Sequence, residues 1–384
     1  MRRGIAISLL TLAGIGLAAL GYEADLSSID GGADLAGIPP VQGVKLEPGF
    51  PAGMELIELD GEPSYARLPI GGRSFTLLLD RSGDGARLYV DREGDGDLRP
   101  VDWEAILPDG TLVSRVDLLI DYDGTISPYR AVLMWNGLIP TVLTYYSDSY
   151  RLGVIPLPKR DVKVALVDQN SDGFYDDPDR DFLLVDVDGD GELLAAPDSH
   201  ERFAPDEPFN IDGTGYVVAS ISPDGSRTLV EESEDPVEPK PPLLPGYPAP
   251  DFSALDSDGN PISLSDLRGR IVVLDFWAGW CTPCVEELDM LALLAEELAE
   301  VGGVLIGIDL DRSLDAFRAA VAEHGIDYRQ VYDGPDGPIG EIYRIGGIPM
   351  IYLIDEDGII RGRDLRGDDS IDAVDRLIAE EDAG

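Results

Sequence analysis

The chain has two cysteines, Cys281 and Cys284, which lie in the stretch WAGWCTPCVEEL. A run typical of a buried strand, IVVLDFWA, precedes them, and a run with helical periodicity, PCVEELDMLALLAEELAE, follows. Cys281 is therefore predicted to lie at the N-terminus of a helix, where unpaired N–H groups and the helix dipole favour a thiolate. This placement suits thiol–disulfide exchange, with Cys281 attacking a disulfide and Cys284 resolving the mixed disulfide.

Other uses of the cysteine pair are less well supported. Because the chain has no further cysteine, a second bridge and a four-cysteine zinc site are excluded, and its two histidines, His200 and His324, are far from the pair in sequence. A purely structural bridge is the alternative, but it would close a loop too short to stabilise the fold much. The spacing favours a redox-active disulfide.

Three stretches carry a resemblance to a known family. The segment VVLDFWAGWCTPCVEEL resembles the active-site segment of thioredoxin-fold proteins, in particular the exported TlpA/ResA-like thiol–disulfide oxidoreductases. The preceding PGYPAPDFSALDSDGNPISLSDLRGR resembles that group's N-terminal hairpin and lead-in, and GGIPMIYLIDEDGIIRGR resembles its cis-proline loop and hairpin. The resemblance covers about residues 248–384 and implies a thioredoxin-like α/β fold that needs no catalytic cofactor beyond the Cys281–Cys284 disulfide.

The resemblance also implies roles for single residues. Pro349, after Ile348, would be the cis-proline that faces the disulfide; the alternative is an ordinary proline at the start of a strand. Trp277 and Trp280 would pack around the site, although simple packing is the alternative for both. Peroxiredoxins share the lead-in hairpin, but FWAGWC lacks the threonine that they place before the reactive cysteine, so peroxidase activity is not expected.

Two acidic residues are candidates for proton transfer. Asp275 lies in the apolar strand pattern VVLDF, where burial should raise its pKa and allow it to accept the proton of Cys284. It matches the buried acid of thioredoxins, and the alternative is a solvent-facing aspartate at a strand end. Glu287 matches a helix acid of the TlpA/ResA-like group, and the alternative is an exposed helix glutamate.

The N-terminal residues 1–22 have the composition of a targeting segment. Arg2 and Arg3 precede a mostly apolar run, and Ala19-Leu20-Gly21 offers a small-x-small cleavage pattern. The run also approaches the length that spans a bilayer, so an uncleaved membrane anchor is the alternative. Either outcome predicts an exported protein in the periplasm or cell envelope, in contact with a membrane only through this segment.

The remaining chain divides at a proline-rich, acidic stretch, residues 231–247, which predicts an extended linker. Residues 40–230 hold short apolar runs ended by Asp and Gly, which predicts a β-rich domain built as a sandwich or a curved sheet. Residues 248–384 alternate strand and helix patterns, which predicts an α/β domain.

Aspartate-rich loops recur in the β-rich region, at residues 80–91, 91–102, 168–179 and 186–194. Oxygen ligands on alternate residues with a glycine at the sixth position suit Ca²⁺ and resemble EF-hand or thrombospondin type 3 loops. Ordinary Asp-Gly turns between strands are the alternative. If calcium binds, it would be structural, and the predicted ligands are Asp168, Asn170, Asp172, Asp176, Asp179, Asp186, Asp188 and Asp190.

Two functions follow from these patterns. The first is an exported thiol–disulfide oxidoreductase that reduces disulfides of client proteins and takes electrons from a membrane donor. The second is a calcium-stabilised surface or binding protein with an accessory redox domain. The net charge of −45 argues against a nucleic-acid partner under either hypothesis, because phosphates would repel the protein.

Overall fold

The computed structural model describes residues 21–30, 40–52, 54, 58–82 and 85–381. The chain divides into two compact units. The first runs to Leu193 and includes Phe203–Pro239, whereas the second consists of Leu194–Arg202 and the chain from Lys240 onwards. The boundary at Pro239 lies inside the predicted linker 231–247. The assignment of residues 194–202 to the second unit was not predicted, since they lie within the predicted β-rich domain 40–230.

The first unit is built from β-strands, which confirms the predicted β-rich class. Many of its runs alternate buried and exposed residues, as expected for strands with one face in a core. The strands are β1 (Gly21–Asp30), β2 (Gln42–Lys45), β3 (Glu47–Pro48), β4 (Glu62–Ile70), β5 (Arg73–Ser82), β6 (Gly85–Asp91), β7 (Leu98–Val101), β8 (Ala105–Ile106), β9 (Leu112–Tyr122), β10 (Thr125–Trp135), β11 (Val142–Ser147), β12 (Ser149–Pro156), β13 (Asp161–Val167), β14 (Phe182–Val185), β15 (Arg202–Phe203), β16 (Phe209–Ile211), β17 (Thr214–Ile221) and β18 (Arg227–Glu232).

These strands form three sheets. Two are five-stranded, with orders β3-β4-β5-β6-β7 and β2-β11-β10-β9-β8, and one is eight-stranded, with order β15-β14-β13-β12-β1-β18-β17-β16. Leu68 and Leu77 of the first sheet share one apolar cluster with Leu118 and Leu133 of the second, so the two five-stranded sheets form a sandwich.

The first unit begins earlier than predicted. Strand β1 pairs with β12 and with β18, which places it inside the eight-stranded sheet rather than before the domain. Gly21 and Tyr22, predicted to end the N-terminal segment 1–22, are therefore part of a strand, while residues 1–20 lie outside the described residues. Among the residues that the structure describes, no helix is long and apolar enough to cross a membrane.

The second unit is an α/β domain, as predicted. Its elements are β19 (Ser253–Leu255), β20 (Pro261–Ser263), β21 (Val272–Trp277), α1 (Thr282–Glu300), β22 (Val304–Asp309), α2 (Leu314–His324), β23 (Arg329–Tyr332), α3 (Pro338–Ile342), β24 (Met350–Ile354), β25 (Ile360–Arg363) and α4 (Asp368–Glu381). Strands β21, β22 and β23 are parallel, and β24 and β25 join antiparallel in the order β23-β22-β21-β24-β25. A separate hairpin, β19–β20, and a short 3₁₀ helix at Ser265–Leu267 precede this sheet.

Strand β21 is buried on both faces and separates two cores. Leu274 and Phe276 pack in the cluster that contains the β19–β20 hairpin and α3 residues. Val273 packs in the opposite cluster, with Leu291 of α1 and Leu377 of α4. Because side chains alternate along a strand, Asp275 and Trp277 point to the same face as Val273, the face covered by helices.

The ends of α2 follow the local rules that its sequence predicts. The Ser313 hydroxyl accepts a hydrogen bond from Ala316 N at 3.2 Å and caps the first turn, and Gly325 ends the helix with a left-handed φ of 64°. The short helix α3, in contrast, was not predicted, because five residues carry too little periodicity to identify a helix.

Two glycines of the first unit have the same left-handed backbone conformation but different amounts of space for a side chain. Gly173 and Gly191 have φ of +87° and +85°, but an added Cβ at Gly173 would lie 2.7 Å from Gly71 N, whereas at Gly191 it would meet open space. Gly191→Ala should therefore lower the free energy of unfolding by about 1–2 kcal/mol through strain alone. Gly173→Ala should lower the free energy of unfolding by about 1–3 kcal/mol more than Gly191→Ala does, because its side chain also overpacks the loop. Urea denaturation measures both losses. Equal losses in the two variants would contradict this packing of the loop on Gly71.

Candidate active site

Cys281 and Cys284 form a disulfide at the N-terminus of α1, with their Cα atoms 5.3 Å apart. Cys281 is the N-cap residue of the helix, and its Sγ accepts a hydrogen bond from Cys284 N at 3.3 Å. Pro283 lies in the first turn, where a missing N–H costs no intrahelical bond. Both cysteines are buried, Cys281 being 5% and Cys284 2% exposed. A thiolate at Cys281 would therefore have a backbone N–H directed at it.

The two tryptophans beside the pair have different environments. Trp277 is fully buried, packs in one cluster with both cysteines, and donates from Nε1 to Gln330 Oε1 at 2.9 Å. Trp280 is 63% exposed, so a large apolar surface lies next to Cys281. Trp277 therefore packs against the buried side of the disulfide, and Trp280 is available for contact with another molecule.

The loop before β24 completes the site. The Ile348–Pro349 peptide bond is cis, as the resemblance implied. Ile348 packs against the cluster that contains both cysteines, so this loop and the disulfide are neighbours. In sequence, this loop is separated from Cys281 by two strands and three helices.

Asp275 is buried as predicted and not solvent-facing. It is 1% exposed, and its Oδ2 has no hydrogen-bond partner among the described residues. Burial, and to a smaller extent the nearby Glu287, raise the pKa of the Asp275 carboxyl to about 7, and Arg366 opposes them. Asp275 shares its face of β21 with Trp277, which packs on Cys284. A carboxyl with this pKa can exchange a proton near neutral pH.

Glu287 is half-buried, which differs from the alternative of an exposed helix glutamate. Its Oε1 accepts a hydrogen bond from Gly367 N at 3.2 Å, and its Oε2 is buried without a hydrogen-bond partner among the described residues. Glu287 therefore connects α1 to the loop before α4 and adds negative charge beside Asp275.

Several residues around the pair were not predicted as site residues. Gln330 holds Trp277, Arg366 acts on Asp275, and the buried hydroxyl of Tyr328 lies close enough for Asp275 to raise its pKa. Each comes from an element distant in sequence, and no local motif marks it.

In the loop 168–179, some of the predicted calcium ligands direct their side-chain oxygens into the turn. Asp168 is fully buried and accepts hydrogen bonds from Tyr129 Oη at 2.8 Å and Gly173 N at 2.9 Å. Asn170 Oδ1 and Asp172 Oδ1 each accept a backbone N–H within the same turn, at 2.9 Å in both cases. These are three of the five oxygen-bearing residues predicted for this loop.

The other two predicted ligands of that loop, Asp176 and Asp179, are exposed. Their places in the loop are taken by Asp177, whose Oδ2 lies 3.4 Å from Asn170 Nδ2, and by Asp181, which is 4% exposed. Asp181 accepts hydrogen bonds from Gln169 N and Asp177 N, both at 3.1 Å. Spacing counted from an EF-hand pattern missed these residues because a turn at residues 177–181 replaces the helix of that pattern.

The loop that follows β14 brings its predicted ligands together. Asp186, Asp188 and Asp190 each place a carboxylate oxygen within 4.8 Å of the others. Oxygens at that spacing can share a cation with bonds of about 2.3–2.6 Å. The residues present at 186–190 therefore suit Ca²⁺ by donor type and by mutual distance.

The two earlier loops differ from each other. Residues 80–91 form a hairpin in which Ser82 pairs with Gly85, so Asp80 lies in β5 and accepts from Asp60 N and Gly61 N at 2.9 and 3.0 Å. Gly83 and Asp84 lie outside the described residues. In residues 91–102, Asp91 accepts from Asp95 N and Gly96 N, both at 3.1 Å. Asp168 accepts from the backbone N–H groups four and five residues on in the same way.

Comparison with known proteins places the second unit in a family. A family model described as AhpC/TSA matches residues 245–363. Thiol-disulfide oxidoreductase ResA of Bacillus anthracis is 35% identical over 113 residues, which cover 29% of this chain and 65% of that protein. Thioredoxin-like protein YneN of Bacillus subtilis is 31% identical over 118 residues, 30% of this chain and 68% of YneN. The chain thus spans 65% of the length of this ResA relative.

Solved structures are also similar to about a third of this chain. The thioredoxin domain of a thiol-disulfide oxidoreductase from Bacteroides vulgatus is 32% identical, with a TM-score of 0.33, and covers 35% of this chain and 97% of its own. A thiol:disulfide interchange protein from Bacteroides sp. is 32% identical, with a TM-score of 0.34, over 36% of this chain and 91% of its own. Given the match to YneN over 68% of its length, the chain belongs, through its second unit, to the thioredoxin-like family that includes the ResA oxidoreductases.

Proposed function

We propose that the protein is an exported thiol–disulfide oxidoreductase that reduces client disulfides through Cys281 and Cys284. The observation that carries this proposal is the Cys281–Cys284 bridge at the start of α1, directly after a buried strand. The similarity to proteins named thiol-disulfide oxidoreductase supports the reaction class. The basic and then apolar pattern of residues 1–22 supports export to the periplasm or cell envelope.

The reaction begins with the reduced pair. The Cys281 thiolate, stabilised by the helix N-terminus and the Cys284 N–H, attacks one sulfur of a client disulfide. A bond forms between Cys281 and that client sulfur, and the second client sulfur leaves as a thiolate that takes a proton. The exposed Trp280 and the Ile348–Pro349 loop line the approach to Cys281.

Resolution of the mixed disulfide uses the second thiol. Asp275 accepts the proton of Cys284, and the Cys284 thiolate attacks the Cys281 sulfur, which releases the client as a dithiol and closes the internal disulfide. Glu287 holds negative charge beside Asp275 and so favours its protonation. The two electrons given to the client must then be replaced, and we assign this step to a membrane electron donor that reduces the Cys281–Cys284 bridge.

A second function receives support from the first unit. The converging carboxylates of Asp186, Asp188 and Asp190 favour a calcium-stabilised surface or binding protein in which the redox domain is accessory. Bound Ca²⁺ would neutralise these carboxylates and rigidify the loop. Reduction of disulfides by the intact protein supports the first function. Binding of a ligand that is unaffected by loss of both thiols would support the second.

Substitution of the cysteines tests the reaction. Cys281→Ser should abolish insulin disulfide reduction, because no thiolate remains to attack, whereas Cys284→Ser should accumulate a mixed disulfide that gel electrophoresis detects without reductant. Met290→Ser on the same helix is a control that leaves both thiols in place. Reduction by the Cys281→Ser variant at the wild-type rate would remove the basis of the proposal.

The buried carboxyl of Asp275 should make stability depend on pH. Its pKa of about 7 lies above the unfolded value, so the folded state loses stability as pH rises from about 4 to about 7, and the full penalty remains above pH 7. Asp275→Asn removes that penalty, and the gain in unfolding free energy should be larger at pH 8 than at pH 5 by about 2–3 kcal/mol.

Urea denaturation of the oxidised protein measures this gain, and Asp289→Asn, exposed on α1, is the matched control that should show no pH-dependent gain. The same Asp275→Asn variant should resolve mixed disulfides more slowly. A gain of equal size at both pH values would show that Asp275 is already ionised in the fold.

Calcium should stabilise the first unit through residues 186–190. We expect Ca²⁺ to raise the melting temperature of the chelator-treated protein more than Mg²⁺ does, because the loop offers several oxygens at flexible distances. Asp190→Asn should abolish the increase, and Asp179→Asn, an exposed aspartate of the neighbouring loop, should retain it. If added Ca²⁺ does not raise the melting temperature of the fully chelated protein, the metal site is ruled out.

A further inference from the structure

The loop that leads into Cys281 is tied to the loop that follows β22. Leu310 N donates to Trp277 O at 2.9 Å, which continues the parallel pairing of β21 and β22 beyond the strands. Gly279 N then donates to Asp311 Oδ2 at 3.0 Å. The second bond is a side-chain contact to the residue two positions before the N-cap, so it acts on the peptide that sets the direction of α1.

Gly279 also has little free space around its Cα atom. An added Cβ there would lie 2.6 Å from the Cβ of Ala320 in α2 and 3.2 Å from Asp311 Oδ2. Gly279 therefore packs closely against both α2 and the Asp311 carboxylate. Of these two neighbours, the carboxylate is the one that forms a hydrogen bond with the Gly279 peptide.

The surroundings of Asp311 keep its carboxylate available for this bond. Asp311 is 4% exposed, and no ion pair joins it to a cation within the described part of the chain. Beside it lies Asp309, which is fully buried and whose Oδ1 accepts from Asp311 N at 3.0 Å. Burial raises the pKa of Asp309 to about 8, and the neighbouring Asp311 side chain contributes to this increase.

Asp309 therefore holds a proton near neutral pH. Asp333, in the loop after β23, meets Asp309 through its backbone, since Asp333 N donates to Asp309 O at 3.0 Å. The Asp333 carboxylate is engaged elsewhere, because it accepts from Ile339 N and Gly340 N at the start of α3. Asp311 is thus the carboxylate of this region that bonds the active-site loop.

We propose that Asp311 is a positioning residue for the redox reaction, holding the Gly279 amide so that Cys281 remains the N-cap of α1. This inference rests on the proposed function, because it assigns Asp311 to the same pair of thiols. Loss of the bond frees the Gly279 peptide, and Cys281 then loses its fixed position relative to the Cys284 N–H that stabilises its thiolate.

Substitution at Asp311 separates the hydrogen bond from the charge. Asp311→Asn keeps an oxygen that can accept from Gly279 N but removes the negative charge, whereas Asp311→Ala removes both. Three quantities are measured: amide hydrogen exchange at Gly279, the pH midpoint of Cys281 alkylation by iodoacetamide in the reduced protein, and kcat/KM for insulin reduction.

We expect Asp311→Ala to accelerate exchange at Gly279 at least tenfold, to move the alkylation midpoint to higher pH and to lower kcat/KM about tenfold. Asp311→Asn should keep exchange near the wild-type rate and should leave the midpoint unchanged or lower, because removing a negative charge favours a thiolate. If Asp311→Ala folds poorly, Asp311→Ser provides the same comparison, since serine is too short to reach Gly279. If the Gly279 amide exchanges at the wild-type rate in the alanine and serine variants, the proposal is overturned.

Asp333→Ala is the matched control, because it also removes a carboxylate that accepts backbone N–H groups in the same unit. It should lower the melting temperature but leave exchange at Gly279 and the Cys281 midpoint unchanged, and an equal acceleration there would overturn a specific role for Asp311. A wild-type protein that reduces no disulfide would contradict the proposed function instead. In that case exchange at Gly279, which requires no catalysis, still decides whether Asp311 holds this peptide.

Discussion

The site depends on the junction between a strand buried on both faces and the helix that follows it. Strand β21 ends at Trp277 and α1 begins at Thr282, so few residues must turn the chain and place Cys281 at the helix N-terminus. The apolar residues of β21 anchor one side of this turn in two cores, and Leu288 and Leu291 of α1 anchor the other. The thiolate-stabilising field at Cys281 is therefore a consequence of how the strand and helix are packed.

Negative charge is the second constraint, since the chain has a net charge of −45 and several of its carboxyls are buried. In the second unit, Asp275 shares a strand face with Trp277, which packs with both cysteines. Asp309 accepts a hydrogen bond from Asp311 N, and Asp311 in turn bonds Gly279 in the loop before Cys281. Asp275 and Asp309 each have a raised pKa because burial disfavours the charged form, so both hold a proton more tightly than an exposed aspartate would. The domain that carries the two thiols therefore also carries carboxyl groups that can hold a proton near neutral pH.

The sequence predicted the parts of this arrangement that depend on local patterns. The cysteine spacing, the burial of Asp275 and the cap and stop of α2 follow from apolar runs and short motifs, and the resemblance added the Ile348–Pro349 loop. The bonds between Asp311 and Gly279, Gln330 and Trp277, and Glu287 and Gly367 join loops far apart in sequence, and no single segment encodes them. Strand β1 was missed for a related reason, because its partners β12 and β18 lie more than a hundred residues away. In the aspartate-rich loops, spacing identified the turn at Asp168–Asp172 but not Asp181, whose approach depends on the fold of the turn that follows.

The reduction potential of the Cys281–Cys284 pair tests the central claim most directly. It is measured by thiol labelling of the full protein equilibrated in buffers of defined redox potential. The account predicts one reversible two-electron transition between the dithiol and the internal disulfide, nearer to about −270 mV, as in thioredoxin, than to about −120 mV, as in DsbA. A potential near about −120 mV would contradict the reducing direction, and failure of the thiols to form an internal disulfide at any potential would contradict the proposed reaction itself.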